Sequence, residues 1–314
     1  GCGRLRRPHP HPLNAFETHP NDIPKEKVRT FSKPITELVQ LRFSCRDYLE
    51  TPIDPETRER LAEFIATNQT GPFGSPTRFE LVAAAEADRK ALRGLGTYGF
   101  IKNPTGFIIG ARDDGEKSLE DFGYAMERII LRATDLGLGT CWLGGSLTKS
   151  RFAKRIGAGK NERVPAVTSV GYSVKSHRAR QLFSQNAHRY PWGDLFFNKA
   201  FGQPLSQDDA GPYAVPLEAV RMGPSASNKQ PWRIVKDGDA YHFYIQRSHG
   251  YGPNSLAFKL LNVDDMQRLD AGIAMCHFEL TAGELGMSGT WQIDETAIAK
   301  PDEMTEYIAS WRQG

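Results

Sequence analysis

Residues 121–142, DFGYAMERIILRATDLGLGTCW, and residues 270–291, DAGIAMCHFELTAGELGMSGTW, are two versions of one segment set 149 residues apart. Without a gap, nine of 22 positions coincide: Asp121/Asp270, Gly123/Gly272, Ala125/Ala274, Met126/Met275, Leu131/Leu280, Ala133/Ala282, Leu136/Leu285, Gly137/Gly286 and Trp142/Trp291. Small and apolar residues recur at i, i+3 and i+4 and a Leu-Gly pair follows, which predicts two helices with matching ends. Gly123, Ala125, Gly272 and Ala274 keep bulk off one face, so two such helices can approach closely. Self-similarity at this spacing organises the rest of the chain.

The repeat extends upstream. Leu61–Val82 and Leu217–Val235 each read as a helix, a turn rich in Pro, Ser, Asn and Gly, and an apolar strand. A further strand-like run follows in both, at Gly106–Gly110 and Tyr241–Ile245. After the long helix, Val164–Tyr172 corresponds loosely to Glu306–Trp311. The expected organisation is a leader at 1–35, a longer α+β half at 36–200 and a shorter one at 205–314. Phe201–Asp209, with Gly202 and Pro204, is the expected junction.

Composition narrows the function classes. At 314 residues, 39% hydrophobic and 25% charged, the sequence has the balance of a globular protein. No run of 18 apolar residues exists, so no membrane-spanning helix is expected. The net charge of +3 belongs to the leader: residues 1–35 carry seven Lys/Arg against three Asp/Glu, so the remainder sums to −1. With six prolines and three histidines (His9, His11, His19), that leader reads as an extended or partly disordered arm. The body lacks the basic, aromatic-interleaved face of a nucleic-acid groove, so no nucleic-acid partner is expected. Cys2, Cys45, Cys141 and Cys276 are widely spaced, with no C-x-x-C pair, which predicts neither a zinc knuckle nor a disulfide framework and points to the cytoplasm. The Gly1–Cys2 start is read as a scar of trimming or fusion rather than a lipoprotein cleavage remnant.

Three stretches carry chemistry. Gly223–Trp232, GPSASNKQPW, opens with a helix-breaking Pro224 and sets Ser225, Ser227 and Asn228 on a turn, where an amide can donate and accept at once. Leu41–Tyr48, LRFSCRDY, places Arg42 and Arg46 four apart, on one face if the segment is helical, with the Ser44 hydroxyl between them. Guanidinia bind phosphate oxygens bidentately. In Leu136–Gly145, LGLGTCWLGG, Gly144 and Gly145 leave main-chain amides open to a flat ring. These glycines follow a helix, so a dinucleotide-type G-x-G loop is not expected, and no P-loop string occurs. Read singly, the first stretch is also a capped turn and the second a solvated basic face.

Together, Arg42-x-Ser44-x-Arg46, Gly223–Trp232 and Leu136–Gly145 resemble the three signatures of the FMN-dependent nitroreductase family, over roughly residues 36–314. The duplication resembles the single-chain subgroup in which both halves of the usual homodimer are fused. The resemblance implies the α+β nitroreductase-like fold, with two repeated halves forming an intrachain pseudo-dimer that acts as a monomer. It implies that Arg42 and Ser44 address the phosphate, with Phe43 between them also at the cofactor, that Arg46 approaches the flavin N1/O2 edge, and that Gly144 and Gly145 lie near N5. Arg189, in a late Arg-x-Pro-hydrophobic element, would be a further phosphate ligand. Pro224, Ser225, Ala226, Ser227 and Asn228 would come from the other half.

The motifs are unevenly shared. The first half has the Arg-rich opening and the Gly-Gly loop, but Thr67–Ser75 replaces the P-S-A-S-N turn. The second half has the turn and no Gly-Gly after Trp291. One complete site, hence one FMN per chain, is expected. The resemblance further implies that hydride passes from NAD(P)H through FMN to a nitroaromatic, quinone or similar small acceptor, by a ping-pong mechanism. The alternatives are another flavin reaction on the same fold, such as flavin fragmentation or reductive dehalogenation, and a non-catalytic flavin-binding module. No metal is expected. Cys45 and Cys141 are expected to be packing residues, and His277, at the repeat position of Arg128, a packed or capped histidine.

Overall fold

Both repeat segments are helical where their spacing predicts, and everything else is arranged around them. The computed structural model describes residues 30–84, 92, 95, 99, 101–144, 149–175, 188–248 and 264–314. The first elements are α1 (Ile35–Leu41), α2 (Pro55–Thr67), β1 (Thr77–Ala83), β2 (Gly106–Asp113), α3 (Ser118–Asp135), β3 (Gly139–Gly144), α4 (Lys149–Arg155), β4 (Glu162–Arg163) and β5 (Ala166–Gly171). They are followed by β6 (Phe196–Asn198), α5 (Gln207–Ala210), α6 (Ala214–Met222), β7 (Trp232–Asp237), β8 (Ala240–Gln246), α7 (Met266–Glu284), β9 (Gly289–Gln292) and β10 (Thr305–Gln313).

The two sheets share one strand order. The first runs β1-β2-β5-β3 with β4 beside β2, and the second runs β6-β7-β8-β10-β9. Within β1-β2-β5-β3 and β7-β8-β10-β9 every pairing is antiparallel. Hairpin-like neighbours of this kind rule out the parallel sheet of a dinucleotide-binding fold. The runs Gly106–Gly110 and Tyr241–Ile245 fall on β2 and β8, and Val164–Tyr172 and Glu306–Trp311 fall on β5 and β10. The extra strand β6 pairs in parallel with β7, so Phe196–Asn198 completes the second sheet although it precedes the 201–209 junction.

The two long helices, α3 and α7, cross where each carries its glycine. A Cβ on Gly123 would strike the Leu269 carbonyl oxygen, and a Cβ on Gly272 would strike the Glu120 carbonyl oxygen. Gly272 lies 149 residues after Gly123, and Leu269 lies 149 after Glu120, so the contact is reciprocal. That reciprocity is the signature of an isologous interface. The helix ends match as well. Gly137 (φ +81°) and Gly286 (φ +76°) adopt the left-handed conformation that glycine tolerates. Leu138 N then returns to Ala133 O at 2.9 Å, and Met287 N to Ala282 O at 2.9 Å.

The paired aspartates of the repeat hold equivalent turns. Asp121 is buried at the start of α3 and accepts from Phe73 N (2.8 Å) and Ser75 N (2.7 Å). Asp270 is buried near the start of α7 and accepts from Ala226 N at 3.0 and 3.1 Å. Each carboxylate thus satisfies amides of a turn that no strand can serve. Buried ion pairs join the halves further: Asp264 receives Arg112 at 2.9 Å and Arg163 at 2.8 Å, and Glu120 receives Arg268 at 2.7 Å.

The chain enters at 30–34 against this frame. Phe31 meets Phe64 edge-on at 5.8 Å, and Ser32 donates from N (2.8 Å) and Oγ (2.5 Å) to Asp135 at the end of α3. The end of the expected arm is therefore packed, and α1 starts at Ile35; residues 1–29 lie outside the described residues. No described helix is long and apolar enough to cross a membrane. On the first sheet, Arg78 donates two hydrogen bonds to Glu162, at 2.6 and 2.8 Å, and holds its carboxyl down to about 2. A carboxyl lowered by folding stabilises the native state above its unfolded value and loses that contribution as pH falls. Acid unfolding between about pH 4.5 and 2 is accordingly expected to be less steep in Glu162→Gln than in the parent protein, as read by circular dichroism.

Candidate functional site

Arg42 caps the end of α1 with extended backbone (φ −65°, ψ 129°), and the chain then runs as a strap beside β3. Ser44 bridges to Thr140, and Cys45 N donates to Thr140 O at 2.8 Å. The Arg42–Arg46 segment is therefore not helical, because α1 ends at Leu41. Its side chains alternate instead, as in any extended segment. Phe43 and Cys45 enter the core beneath the first sheet, whereas Arg42, Ser44 and Arg46 share the other side. The Phe43 side chain is core packing, which leaves its main chain for the cofactor-binding role expected of it. Burial grades along the strap: Arg42 is 5% exposed, Ser44 half-buried and Arg46 exposed.

The structure brings Arg42 to Arg189. Arg189 donates to Asn228 Oδ1 (3.0 Å), Met222 O (2.9 Å) and His188 O (3.1 Å). Its guanidinium is pulled down to about 10, first by desolvation and then by the neighbouring charge of Arg42. Burial also lowers Arg42, against the opposing pull of Glu127. Arg42 Nε and Arg189 Nε are both buried and make no hydrogen bond among the described residues. Two like charges with unsatisfied donors in a half-dry site call for an anion. Nearby, the Cys141 thiol is raised by burial, a shift that the charges of Arg46 and Arg42 oppose; with Cys45 it stays a packed free thiol.

The Gly223–Trp232 turn is held in a costly backbone shape. Ser227 (φ 51°), Asn228 (φ 55°) and Gln230 (φ 47°) all occupy the left-handed region, which side chains other than glycine rarely adopt and which concentrates at functional sites. Gln230 is fully buried and ties the loop together: its N donates to Ser225 Oγ (2.8 Å), its Nε2 to Asn228 O (3.2 Å), and its Oε1 accepts from Tyr190 N (2.9 Å). Asn228 donates to His188 O at 3.0 Å while accepting from Arg189, so the turn and the late arginine form one unit. Pro224, Ser225 and Ala226 are half-buried, and Ser227 and Asn228 are exposed. Gln230 and Asp270 were not among the expected site residues, since neither type stands out beside P-S-A-S-N; the identity of Asp121 and Asp270 was the available signal.

Gly144 ends strand β3 rather than following a helix, since β3 begins at Gly139, after the Leu136–Gly137 turn. A Cβ there would press on Met266 Sδ at 2.6 Å, at the start of α7, so this glycine permits the second half to close on β3. Gly145 lies outside the described residues.

Behind Arg42 stands a carboxylate that the sequence did not single out. Glu127, fully buried on α3, lies 3.7 Å from Arg42 Nε and accepts from Trp142 Nε1 at 2.7 Å. His277 of α7 is packed, as expected, with Nε2 at 3.0 Å from Glu127 and Nδ1 at 2.8 Å from Ala219 O. Among the described residues no cluster of three His, Cys, Asp or Glu side chains could hold a metal.

A family model described as "Putative TM nitroreductase" matches residues 34–282, most of the chain. The chain belongs to the nitroreductase family. Its fold agrees with that of a solved "putative nitroreductase" from Thermotoga maritima MSB8, with a TM-score of 0.57 at 19% identity over 89% of this chain and 94% of that one. Also similar are an FMN-dependent nitroreductase from Clostridium difficile R20291 (TM-score 0.37, 22% identity, 49% and 98% of the chains) and a Desulfovibrio desulfuricans nitroreductase in complex with FMN (0.42, 18%, 55% and 99%). No curated protein matches. In nitroreductase terms, Arg42, Ser44, Arg46, Gly144, Arg189 and the Pro224–Asn228 turn surround the junction of α1, β3 and the N-terminal end of α7.

Proposed function

We propose that this nitroreductase-family protein is an FMN-dependent oxidoreductase, which takes reducing equivalents from NAD(P)H and delivers them to a small acceptor such as a nitroaromatic or quinone. The observation that carries this reading is the pair of neighbouring guanidinia, buried Arg42 and half-buried Arg189, whose buried Nε atoms make no hydrogen bond among the described residues. A phosphate monoester fits them: it is dianionic near neutrality and offers several strong acceptors. Arg42, Ser44 and Arg189 would hold the phosphate, and Arg46, Gly144 and the Pro224–Asn228 turn would hold the ring. Bound FMN would supply the two-electron redox chemistry. The chain's own part is to bind and orient. Arg46 keeps a positive charge on the exposed side of the strap, Gly144 lets Met266 of the second half close on the end of β3, and the strained turn presents Ser227 and Asn228 preformed.

We infer one such site per chain, within a monomer whose two halves play the parts of a dimer. At the positions 149 residues beyond Gly144 and Gly145 stand Ile293 and Asp294, bulky and acidic in place of bare backbone. The counterpart of Met266 is Lys117, whose Nζ donates to Ile308 O at 2.8 Å and crosses to the second sheet. The counterpart turn packs Gly71 directly on Asp121. Purified protein reconstituted with FMN is expected to bleach anaerobically with NADH or NADPH and to recover its colour with a nitroarene or quinone. Binding of FMN without bleaching by either nucleotide would favour a non-catalytic flavin-binding module.

A further inference from the structure

His277 faces two acceptors. Its Nδ1 lies 2.8 Å from the Ala219 carbonyl oxygen, which can only accept, and its Nε2 lies 3.0 Å from Glu127 Oε1. A neutral imidazole carries one N–H and would turn a lone pair toward one of them. Both His277 and Glu127 are fully buried, so water does not relieve that mismatch. The other donors around the carboxylate favour its ionised form: Trp142 Nε1 donates to Oε2 at 2.7 Å, and Arg42 Nε lies 3.7 Å from Oε1. Two thiols also stand at hand. Cys276, on α7, is raised well above its ordinary range by burial and by Glu127, and Cys141, beside Arg42, is raised by burial, so both stay neutral. Arg128 and Glu279 are the further charged groups near Cys276, and Arg189 is the further charge near Arg42.

We propose that Glu127 and His277 form a carboxylate–imidazolium pair, neutral as a unit, that positions Arg42 from behind and leaves the charges of Arg42 and Arg189 free for a dianionic phosphate. The pair rests on the FMN reading above and adds its charge count. With a neutral His277, Glu127 would cancel one of the two guanidinia and the site would favour a monoanion. With the imidazolium, the local charge stays at two. The pair also spans the molecule: Glu127 sits on α3, His277 on α7, and Ala219 on α6, the helix that leads into the Pro224–Asn228 turn. The anchor for Arg42 and the start of that turn are thereby one hydrogen-bonded chain.

Glu127→Gln supplies the conservative test. Its amide can donate to a neutral His277 Nε2 and accept from Trp142, so both hydrogen bonds of the carboxylate are kept and the unit stays neutral, while an NH2 replaces the oxygen 3.7 Å from Arg42 Nε. FMN and riboflavin affinities are measured side by side by flavin fluorescence; FMN is expected to weaken less than about tenfold, about 1.4 kcal/mol, and riboflavin less than about threefold. Glu127→Leu, which orphans both donors, should weaken FMN about thirtyfold or more and riboflavin less than threefold. Nitrogen NMR of the parent protein, assigned by comparison with His277→Gln, is expected to show protons on both ring nitrogens of His277, and a bare Nε2 in Glu127→Gln. A bare Nε2 in the parent protein overturns the proposal, as does a loss of FMN affinity in Glu127→Gln as large as that in Glu127→Leu, or parent-like FMN affinity in Glu127→Leu. Parent protein that fails to bind FMN would remove the cofactor reading, and the ring shifts would still decide the protonation state.

Discussion

Gly272→Ala is expected to destabilise the protein by about 3 kcal/mol or more, and Gly123→Ala by a similar amount. The added methyl in either case meets backbone, not a side-chain tip: the Glu120 carbonyl in one, the Leu269 carbonyl in the other. Two helices must separate to admit it, and the buried contacts on both sides of the crossing loosen together. Met126, Ile130, Leu269 and Ile273 are all buried within the same core cluster. The control lies on the same helix. At Gly283, in α7, an alanine methyl would have no described neighbour within 4 Å, so Gly283→Ala should be neutral or stabilising by about 0.5–1 kcal/mol. Urea unfolding of the three variants reads the difference. A Gly272→Ala protein within about 0.5 kcal/mol of its parent would mean that the α3–α7 crossing is not the close contact described, against the usual cost of overpacking.

Arg42→Ala and Arg189→Ala should each weaken FMN about a hundredfold or more and riboflavin no more than about threefold. The difference arises because a charge-assisted, bidentate contact to phosphate is lost while the ring contacts stay. Arg42→Lys should recover little of the loss, since an ammonium cannot reproduce the guanidinium fork. Equal weakening of both flavins would place these arginines at the ring or in the fold instead. Arg42→Ala also removes the guanidinium 3.7 Å from Glu127, so unfolding curves belong beside the binding curves. Arg189→Ala removes the tether of Asn228 as well, so some loss of riboflavin affinity there would measure the coupling of the arginine to the turn.

Much of the fold was legible because the repeat is periodic. Helical spacing, the Leu-Gly stops and the paired glycines are local properties, and α3 and α7 follow from them. The strand runs after each turn were legible for the same reason. What was not legible depends on contacts distant in sequence. The strand β6 is three residues long, and its parallel pairing with β7 has no signature in Phe196–Asn198. The strap Arg42–Arg46 can be read as a helix continuing α1 until Ser44 is seen against Thr140. In the site, Arg42, Arg189 and Asn228 were visible as types and the structure brings them together, but Phe43 faces the core. Glu127 reads as an ordinary polar position on a helix. Its role appears only when Trp142, His277 and Arg42 converge on it from three other segments.

The count of bound flavin tests the central claim most directly. The protein is purified to homogeneity, saturated with FMN and freed of excess by gel filtration, and flavin absorbance is then compared with protein concentration. One FMN per chain is the predicted result, because Gly144, Gly145 and Met266 on the proposed Arg42–Arg189 side are replaced by Ile293, Asp294 and Lys117 at the repeat-related positions. A ratio near two, or none retained, would contradict it.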